Sequence, residues 1–364
     1  WTITTMGQNM RTVDGNVTTM DRSLSWDFDH LSANYDGLPL KWRIYFALLI
    51  IQYIYYPMLA IVGVPVNLLT IGIMCRRKCG LSNCVTRYLV AMAAADLLVI
   101  IFDLILRHIP IVYLEQLNSL RSIPVCNIHA VLLFAATDCS VWFTVTFTFD
   151  RFVAICCQKL KSKYCTEKTA AVVLGTVTVL SCLKNITWYF IFTGRYSKVN
   201  MPWFCSVTDG IRFSRVWITI ELFRHILTPF APFVVILFLN AFTVRHILVS
   251  SRARSRLRAH SIGEIRRDPE MQSRRKSIIL LLVISANFIL LWAVFMVVSI
   301  WSQLYNLGDR SVIPPMFLLQ VGYMLQLLSC CTNTAIYAVP QAQFREQLKN
   351  VFKYPFTQIG KFIQ

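Results

Sequence analysis

The residues of this sequence best suited to chemistry are charged side chains that interrupt long apolar runs. Asp96 is a lone acid within YLVAMAAADLLVI, and Asp150 and Arg151 stand near the end of the apolar run that contains FTFDRFVAIC. A charged side chain at the centre of a bilayer costs about 2.5–3.5 kcal/mol on insertion scales. If these runs cross a membrane, each charge therefore needs a partner or serves a function.

Asp96 has potential partners among the polar residues of the other apolar runs, which are Asn67, Ser140, Ser329 and Asn333. Their oxygen atoms suit a hard cation such as sodium. The same residues also suit a polar cluster that is only hydrogen-bonded, and the sequence leaves both interpretations open. The candidate metal site is a sodium site, and the sequence indicates no other cofactor; its residues are Asp96, Ser140, Ser329 and Asn333.

A second group of charges lies near the ends of the runs. It consists of Asp103 with Arg107, of Glu221, Arg224 and His225, and of Asp138. Spacings of three and four residues place the members of each set on one face of a helix. We expect Asp138 to pair with Arg224 or His225. These charges can neutralise one another, or they can line a cavity that binds a zwitterion, with cations for its carboxylate and acids for its ammonium.

The composition indicates that the apolar runs lie in a membrane. The chain has 364 residues, of which 56% are hydrophobic and only 15% charged, and its mean hydropathy is +0.54. A soluble protein of this length carries more charge. The net charge of +18 is divided among short loops instead of forming one patch, which argues against a nucleic-acid partner.

Seven apolar blocks are long enough to cross a ~30 Å hydrocarbon core as helices. An amphipathic segment, QAQFREQLKNVFK, follows them at about 341–353 and is typical of a helix on a membrane surface. The predicted fold is an all-α membrane protein, a seven-transmembrane helix bundle with an amphipathic eighth helix. The blocks run over residues 44–75, 84–110, 123–157, 167–192, 214–250, 274–304 and 314–339.

Lysine and arginine predict the orientation of the bundle, because they concentrate in loops on the cytoplasmic side. Basic residues follow the first, third, fifth and seventh blocks, whereas the segment before the first block holds five aspartates. We therefore predict a multi-pass protein of the plasma membrane with its N-terminus outside and its C-terminus in the cytoplasm. The predicted divisions are an extracellular segment 1–43, the bundle 44–339, and helix eight with a cytoplasmic tail 340–364.

Two features belong to the predicted outer side. Cys126 begins the third block and Cys205 lies in an outer loop, so both meet oxidising conditions and we predict a disulfide between them. Asn16 opens an Asn-Val-Thr sequon in the N-terminal segment and is a candidate glycosylation site. A second sequon, at Asn185, lies near the end of a span, and we expect it to stay unmodified.

Taken together, the motifs of the seven blocks resemble those of the rhodopsin-like G-protein-coupled receptors, the class A receptors, across residues of about 44–353. Seven motifs occur in the order of that family. They are Gly63-Val64-Pro65-Val66-Asn67, Ala93-Ala94-Ala95-Asp96-Leu97, the Cys126 and Cys205 pair, Asp150-Arg151-Phe152, Phe288 with Trp292, Asn333-Thr334-Ala335-Ile336-Tyr337, and Phe344-Arg345.

The resemblance implies that Asp150 and Arg151 form a switch for a heterotrimeric G protein. Arg151 is expected to be held by Asp150 and by the sixth helix until an agonist rearranges the core around Trp292 and Phe288. Arg151 and Tyr337 then face the G protein. The implied partners are a G protein, arrestin, membrane lipid and a small-molecule or peptide agonist. The predicted switch residues are Asp150, Arg151, Phe288, Trp292, Asn333 and Tyr337, and the predicted ligand-binding residues are Asp103, Arg107, Leu133, Phe134, Thr137, Asp138, Glu221, Arg224, His225, Trp292 and Phe295.

Within that family the motifs look most similar to orphan receptors that sense aromatic amino acids. The resemblance implies a ligand of that kind, or a short peptide, near Asp138 and His225. Those receptors carry an arginine where this chain has Phe295, so their ligand does not transfer directly. Val294 replaces the usual proline of the sixth helix and Asn240 the usual tyrosine of the fifth.

Three other interpretations compete with a ligand-gated receptor. A transporter would show an internal repeat, and the two halves show none. An intramembrane enzyme would need a catalytic constellation, and neither Asp96 nor Asp138 lies in one, so we expect no enzymatic activity. A constitutively active orphan receptor with no required ligand fits the departures at Val294 and Asn240.

Overall fold

The computed structural model describes residues 40–76, 80–113, 123–191, 214–258, 269–308, 312, 314–338 and 341–351. Within these ranges the regular structure is entirely helical. Asn16, Cys205 and most of the predicted segment 1–43 lie outside the described residues, so the predictions made for them stay predictions.

Each of the seven apolar blocks forms a helix, as predicted, and the bounds agree within a few residues except at the basic ends of the fifth and sixth. The predicted surface segment forms a further helix, α8, at 342–351. The seven helices are α1 (Leu40–Cys75), α2 (Asn83–Tyr113), α3 (Ile123–Cys156), α4 (Glu167–Asn185, continued by Thr187–Ile191), α5 (Arg215–His225, Ile226–Phe230 and Ala231–Arg258), α6 (Pro269–Leu307) and α7 (Met316–Ala338).

Six of these helices, α1 to α6, are long and apolar enough to cross a membrane by length and composition. The seventh, α7, is more polar because it carries Gln320, Gln326, Ser329, Thr332, Asn333 and Thr334. It packs along α6 and against α2, so its polar side chains face other helices. That is where polar side chains are tolerated in a membrane protein.

Side-chain oxygens cap the beginnings of three helices. Ser82 accepts a hydrogen bond from the backbone N–H of Val85, Thr166 from Thr169 and Ser214 from Trp217, at 3.4, 3.1 and 3.2 Å. Each cap satisfies one N–H group that has no partner inside the helix. The serine and threonine residues at these positions therefore determine where α2, α4 and α5 begin.

Buried hydroxyl groups of α3 are satisfied within the helix itself. Thr137, Thr144 and Thr148 donate to the carbonyl oxygens of Leu133, Ser140 and Thr144, at 3.0, 3.0 and 2.7 Å. Threonine commonly makes this bond to the residue four positions earlier. As a result α3 can carry several polar residues through the middle of the bundle without unpaired donors at these positions.

The close approach of α6 and α7 depends on Gly322. A Cβ atom at this position would lie 2.8 Å from Cα and 3.0 Å from the backbone nitrogen of Phe295. Both distances fall below normal van der Waals separation, so a larger residue would push the helices apart. Glycine here brings Tyr323, the next residue, against Phe295, with ring centroids 5.2 Å apart.

Two helices contain a π-helical segment, in which residues five apart lie above one another. In α2 this segment covers Ile100–His108, and it buries both Asp103 and His108, which are five residues apart. In α5 it covers Ile226–Phe230, where Thr228 departs from helical dihedral angles ahead of Pro229. Such segments often occur at functional sites, and both of these lie beside the predicted ligand-binding residues.

Candidate functional site

One end of the bundle, here named the Arg151 end, carries the predicted switch. The Nε atom of Arg151 donates to Oδ2 of Asp150 at 3.0 Å, and its Nη2 atom donates to the same oxygen. Its Nη1 atom lies 3.4 Å from Oγ of Ser277 on α6. The structure thus brings Arg151 to both partners that the sequence predicted, the neighbouring acid and the sixth helix.

The Asp150 carboxylate is also held from outside its own helix. Cys84 of α2 donates its thiol to Oδ1 of Asp150 at 3.3 Å, and the thiol of Cys165 lies 3.6 Å from the Asp150 carbonyl oxygen. Asp150 is fully buried and Arg151 is 7% exposed. An ion pair enclosed in this way is protected from water and from salt.

Tyr337, the other predicted switch residue at this end, is fully buried. Its ring packs edge-on against Phe344 of α8, with centroids 6.5 Å apart, and Arg345 donates to the carbonyl oxygen of Ala338 at 2.8 Å. The Tyr337 hydroxyl has no hydrogen-bond partner among the described residues. These contacts join α8 to the end of α7.

In the middle of the bundle, Asp96 is 1% exposed and both of its oxygens accept hydrogen bonds. Ser140 donates to Oδ1 at 2.6 Å, and the Asn333 amide donates to Oδ2 at 2.5 Å. Neither partner is charged, and the described residues supply no ion pair to this carboxylate. A buried carboxylate with only neutral partners requires a cation or a proton. Of the residues predicted to hold a sodium ion, Ser140 and Asn333 contact Asp96 directly, through a hydroxyl and an amide nitrogen, and the sodium site stays a prediction.

Two residues expected near Asp96 bond elsewhere. Ser329 accepts from the indole N–H of Trp292 at 3.1 Å and donates to the Gln326 carbonyl at 2.6 Å. Asn67 donates to carbonyl oxygens of α1 and α7. The expectation that both contact Asp96 is therefore corrected, because each finds a backbone or indole partner closer at hand. Ser329 instead bonds the predicted switch residue Trp292.

The opposite end of the bundle, here named the Arg224 end, carries three groups of charges. The first, on the π-helical segment of α2, pairs Asp103 with Arg107 at 2.9 Å, as the spacing predicted. His108 Nε2 lies 3.5 Å from the same carboxylate and has no hydrogen-bond partner in the described part of the chain. The Arg107 guanidinium lies 5.5 Å from the ring centroid of Tyr323, and the His108 ring packs between Tyr323 and Tyr56.

The second group lies on α5. Arg224 donates twice to Oε2 of Glu221, at 2.8 and 3.2 Å, and its guanidinium lies over the rings of Phe134 and Trp188 at 4.8 and 5.6 Å. A guanidinium over an aromatic face is stabilised by the quadrupole of the ring. Arg224 is therefore held by one carboxylate oxygen and two aromatic faces, and it joins α5 to α3 and α4.

His225 continues this group toward the centre of the bundle. Its Nδ1 atom lies 2.7 Å from the carbonyl oxygen of Glu221, and its Nε2 atom lies 3.4 Å from Nη2 of Arg224. Its ring contacts Phe295 of α6, with centroids 6.1 Å apart. Glu221, Arg224 and His225 lie on one face of α5, as expected, and they are hydrogen-bonded to one another.

The third group corrects the expected partner of Asp138. This carboxylate pairs with Lys184 of α4 at 2.6 Å and accepts a hydrogen bond from the Asn185 amide, not from Arg224 or His225. Lys184 also donates to Thr228 at 3.3 Å. Asp138 points toward α4 because it lies on the side of α3 away from the Ser140 stripe, and there a lysine is within reach. Asn185 is buried, which agrees with the expectation that its sequon is unused.

A continuous row of aromatic rings connects the charged groups with the core. Phe288, Trp292 and Phe295 follow one another along α6, with ring centroids 5.5 and 6.0 Å apart. Phe295 then meets Tyr323, which meets His108, each at 5.2 Å. Each ring of this row is thus in contact with the next, from Phe288 to His108.

The remaining predicted residues lie where the sequence placed them in the helices. Leu133 is buried and Phe134 stacks on Trp188 with centroids 4.3 Å apart, whereas Thr137 donates to Leu133 of its own helix. Cys126 is disulfide-bonded. Its partner lies outside the described residues, so the pairing with Cys205 stays a prediction.

Sequence reasoning missed Lys184, Trp188, Tyr323 and Tyr56 at the Arg224 end. Only Lys184 carries a signal that could have been used, because a lysine just inside the end of an apolar block needs an acid. The aromatic residues have no such signal. Tyrosine and tryptophan are common near the ends of spans, and their role depends on which helices meet.

The arrangement is that of a helical bundle with three charged groups at one end and the buried Asp150–Arg151 pair at the other. Comparison with known sequences agrees: the chain belongs to the family described as "7 transmembrane receptor (rhodopsin family)", which it matches over residues 66–337. It is thus a multi-pass membrane protein of the G-protein-coupled receptor class, a receptor and not an enzyme.

The chain is also similar to individual receptors at low identity. It is 25% identical over 308 residues to the Mus musculus protein named "Probable G-protein coupled receptor 142". The aligned region covers 83% of this chain and 73% of that protein. It is 24% identical over 322 residues to Homo sapiens "G-protein coupled receptor 39" (80% and 70% covered) and 23% identical over 313 residues to the Rattus norvegicus "Type-2 angiotensin II receptor" (83% and 79% covered).

Proposed function

We propose that this receptor is gated from outside the cell by a zwitterionic ligand with an aromatic group, either an aromatic amino acid or a short peptide. The Arg224 end is then extracellular and the Arg151 end cytoplasmic, in a plasma-membrane protein with its N-terminus outside. The observation that carries the proposal is the pairing of acid and base around an aromatic floor, Asp103 with Arg107 and Glu221 with Arg224.

A zwitterion suits the Arg224 end because both signs of charge are present in each of its two groups, on α2 and on α5. The ligand carboxylate can compete for a guanidinium and the ligand ammonium for a carboxylate, so two internal ion pairs are exchanged for two external ones. The floor formed by Trp292, Phe295 and Tyr323 offers ring faces and edges to an aromatic group. One relative is named as a receptor for angiotensin II, and this agrees with a ligand of the peptide class.

The proposed activation step moves the aromatic row. A ligand seated on Phe295 displaces Trp292, whose indole N–H is bonded to Ser329 at 3.1 Å. Ser329 and Asp96 lie between Trp292 and the Arg151 end of α6 and α7, so this displacement can reach that end through them. Release of Arg151 from Ser277 on α6 then frees the guanidinium for a G protein. A sodium ion at Asp96, Ser140 and Asn333, when bound, supplies a positive charge that stabilises the closed arrangement.

Two-state behaviour of this kind links the two ends of the bundle. A ligand that favours the open arrangement must bind more tightly when the G protein is present, by the same factor as it increases G-protein binding.

Two further partners are proposed, arrestin and membrane lipid. Arrestin binds the opened Arg151 end, and lipid contacts the apolar side chains on the outside of α1, α4 and α5, such as Ile54, Val172 and Phe223, all at least 60% exposed.

The test is G-protein activation in cells that express this chain, measured with and without a panel of aromatic amino acids and short aromatic peptides. We expect at least one member of the panel to raise the signal, and His225→Ala to lower its potency at equal surface expression. Arg151→Gln should abolish the signal while leaving ligand binding measurable.

The result that contradicts this proposal is a high signal that is indifferent to the panel and to His225→Ala. The receptor would then be constitutively active, as the substitutions at Val294 and Asn240 allow. Basal activity measured against cells without the receptor separates the two outcomes directly.

A further inference from the structure

The two charged groups at the Arg224 end leave different polar atoms without partners. Beside the Asp103–Arg107 pair of α2, the hydroxyl of Tyr56 on α1 and Nε2 of His108 have no hydrogen-bond partner among the described residues. In the group on α5, the atom without a partner is Oε1 of Glu221, since Arg224 takes only Oε2. Tyr56 is fully buried and His108 is 6% exposed, so these atoms are shielded from bulk water.

These atoms have complementary chemistry. A tyrosine hydroxyl and an imidazole N–H both donate, and Arg107 beside them supplies a positive charge, so this side is suited to a carboxylate. A carboxylate oxygen only accepts, so Glu221 is suited to an ammonium group. Leaving a buried polar atom unpaired is unfavourable, and a ligand that pairs it recovers that free energy.

The separation of the two groups sets the size of such a ligand. The rings of Tyr323 and Phe295 lie between His108 and His225, with successive centroid distances of 5.2, 5.2 and 6.1 Å. The π-helical segment of α2 packs against α3 and α7, whereas the first part of α5 packs against α6. Axes of packed helices lie about 8–10 Å apart, and α2 reaches α5 through the helices between them, so the two groups are at least on the order of 10 Å from each other.

A free α-amino acid is too short to contact both groups. Its ammonium nitrogen and carboxylate oxygens are at most about 3.5 Å apart, since only three bonds separate them. An extended peptide spans about 3.3–3.6 Å per residue, so roughly three residues cover the gap. An aromatic side chain in the middle of such a peptide would lie over Phe295 and Tyr323.

We infer that the ligand is a peptide of about three residues with free termini, its carboxylate bound by Tyr56, Arg107 and His108 and its ammonium by Glu221. This inference rests on the proposed function and narrows it, because it selects the peptide over the free amino acid. It also gives each terminus a separate site, on α1 and α2 for one and on α5 for the other.

The test uses the tripeptide Ala-Trp-Ala and its phenylalanine analogue, each with free termini, as the C-terminal amide and as the N-acetyl derivative, beside free L-tryptophan. G-protein activation is measured for wild type, Tyr56→Phe and Glu221→Gln at matched surface expression. We expect a free-termini peptide to be at least tenfold more potent than L-tryptophan. Tyr56→Phe should lower the potency of that peptide about tenfold and leave its amide unchanged, and Glu221→Gln should do the same for the free amine but not for the N-acetyl form.

Tyr55→Phe is the matched control, because it removes a hydroxyl from the neighbouring residue that donates to the Met324 carbonyl at 2.9 Å. It should leave the ratio of acid to amide potency at its wild-type value. If Tyr56→Phe does not reach the surface, His108→Phe keeps a ring between Tyr56 and Tyr323 and removes only the imidazole donor, so it applies the same test.

The outcomes distinguish this inference from the proposed function. If L-tryptophan is as potent as the tripeptides, or if Tyr56→Phe weakens the acid and the amide equally, the peptide assignment is wrong and the receptor proposal survives. A wild type that responds to none of the probes, with a high basal signal, refutes both.

Discussion

At the Arg151 end, one buried ion pair joins two adjacent residues, Asp150 and Arg151, and a thiol and a serine hydroxyl from other helices support it. Among the described residues of the Arg224 end, three ion pairs occupy α2, α5 and the contact between α3 and α4, and two of these groups leave polar atoms without partners. The first arrangement is suited to hold one state until it is released. The second is suited to exchange its internal partners for those of a ligand.

The pair between Asp138 and Lys184 is the exception at the Arg224 end, because both of its members are well bonded. It connects α3 to α4 next to the kink at Thr228, and we regard it as a positioning pair, not as a ligand site. The comparison between the two ends can therefore be tested with variants that remove a charge at each end.

Lys184→Met should cause the largest loss of stability. It leaves Asp138, which is 5% exposed, without its cation, and removing one member of a buried pair costs about 3–5 kcal/mol. We expect about 3 kcal/mol because the Lys184 side chain is itself 27% exposed. The measurement is the melting midpoint of the purified receptor in detergent. The double variant with Asp138→Asn should recover most of the loss, and no recovery would show that the two residues are not coupled.

Asp150→Asn should have the next largest effect, on signalling. It removes the charge that holds Arg151, and hydrogen bonds to charged groups contribute about 1.5–3 kcal/mol. A shift of that size corresponds to a change of roughly 10- to 100-fold in the balance between closed and open arrangements. We expect a rise in ligand-independent G-protein activation at equal surface expression.

Glu167→Gln is the control for that rise, because Glu167 forms an ion pair with Arg87 at 2.6 Å on an exposed surface nearby. Exposed pairs contribute only about 0–1 kcal/mol, so basal activity should not change. Equal rises in the two variants would mean that any loss of acid at this end activates the receptor.

Gly322→Ala should affect the Arg224 end and leave the Arg151 end unchanged. The added methyl group would meet the Phe295 backbone at 2.8 Å, and overpacking of this kind costs about 1–3 kcal/mol. Because the strain acts on Phe295 and Tyr323, we expect a loss of ligand potency with basal signalling unchanged. Gly175→Ala in α4 is the control, since its Cβ meets nothing within 4 Å and should be neutral or slightly stabilising. If ligand potency is unchanged in Gly322→Ala, the aromatic floor is not part of the ligand site.

The side-chain partners at the Arg151 end were predicted correctly from the sequence, whereas one partner at the Arg224 end was predicted wrongly, and the difference has a physical reason. The seven helices follow from apolar runs that must satisfy their backbone hydrogen bonds internally, and the Asp150–Arg151 pair is between neighbours, so both are local properties of the chain. The pairing of Asp138 with Lys184 joins residues 46 positions apart and depends on how α3 and α4 face each other. Helical spacing gave the correct face for Asp138 and the wrong partner.

The contacts of the polar core around Asp96 were predicted in part. Asp96, Ser140 and Asn333 were expected to meet and do so, because each is a polar residue in the middle of a span with few alternatives. Ser329 satisfied the same criterion but bonds Trp292. A list of polar residues in the membrane predicts which residues need partners, whereas the choice among several possible partners is made by packing.

Ser277→Ala should give the smallest effect that still distinguishes the ends. Its hydroxyl accepts from Arg151 at 3.4 Å, a long hydrogen bond that contributes at most about 0.5–1.5 kcal/mol. Because this is the described contact that ties Arg151 to α6, its loss should raise basal G-protein activation a few-fold, well below the effect of Asp150→Asn. Ser299→Ala, also on α6, removes a buried hydroxyl that has no partner among the described residues and should leave basal activity unchanged. If Ser277→Ala equals wild type while Asp150→Asn is active, the neighbouring acid alone holds the arginine, and the sixth helix takes no part in the closed switch.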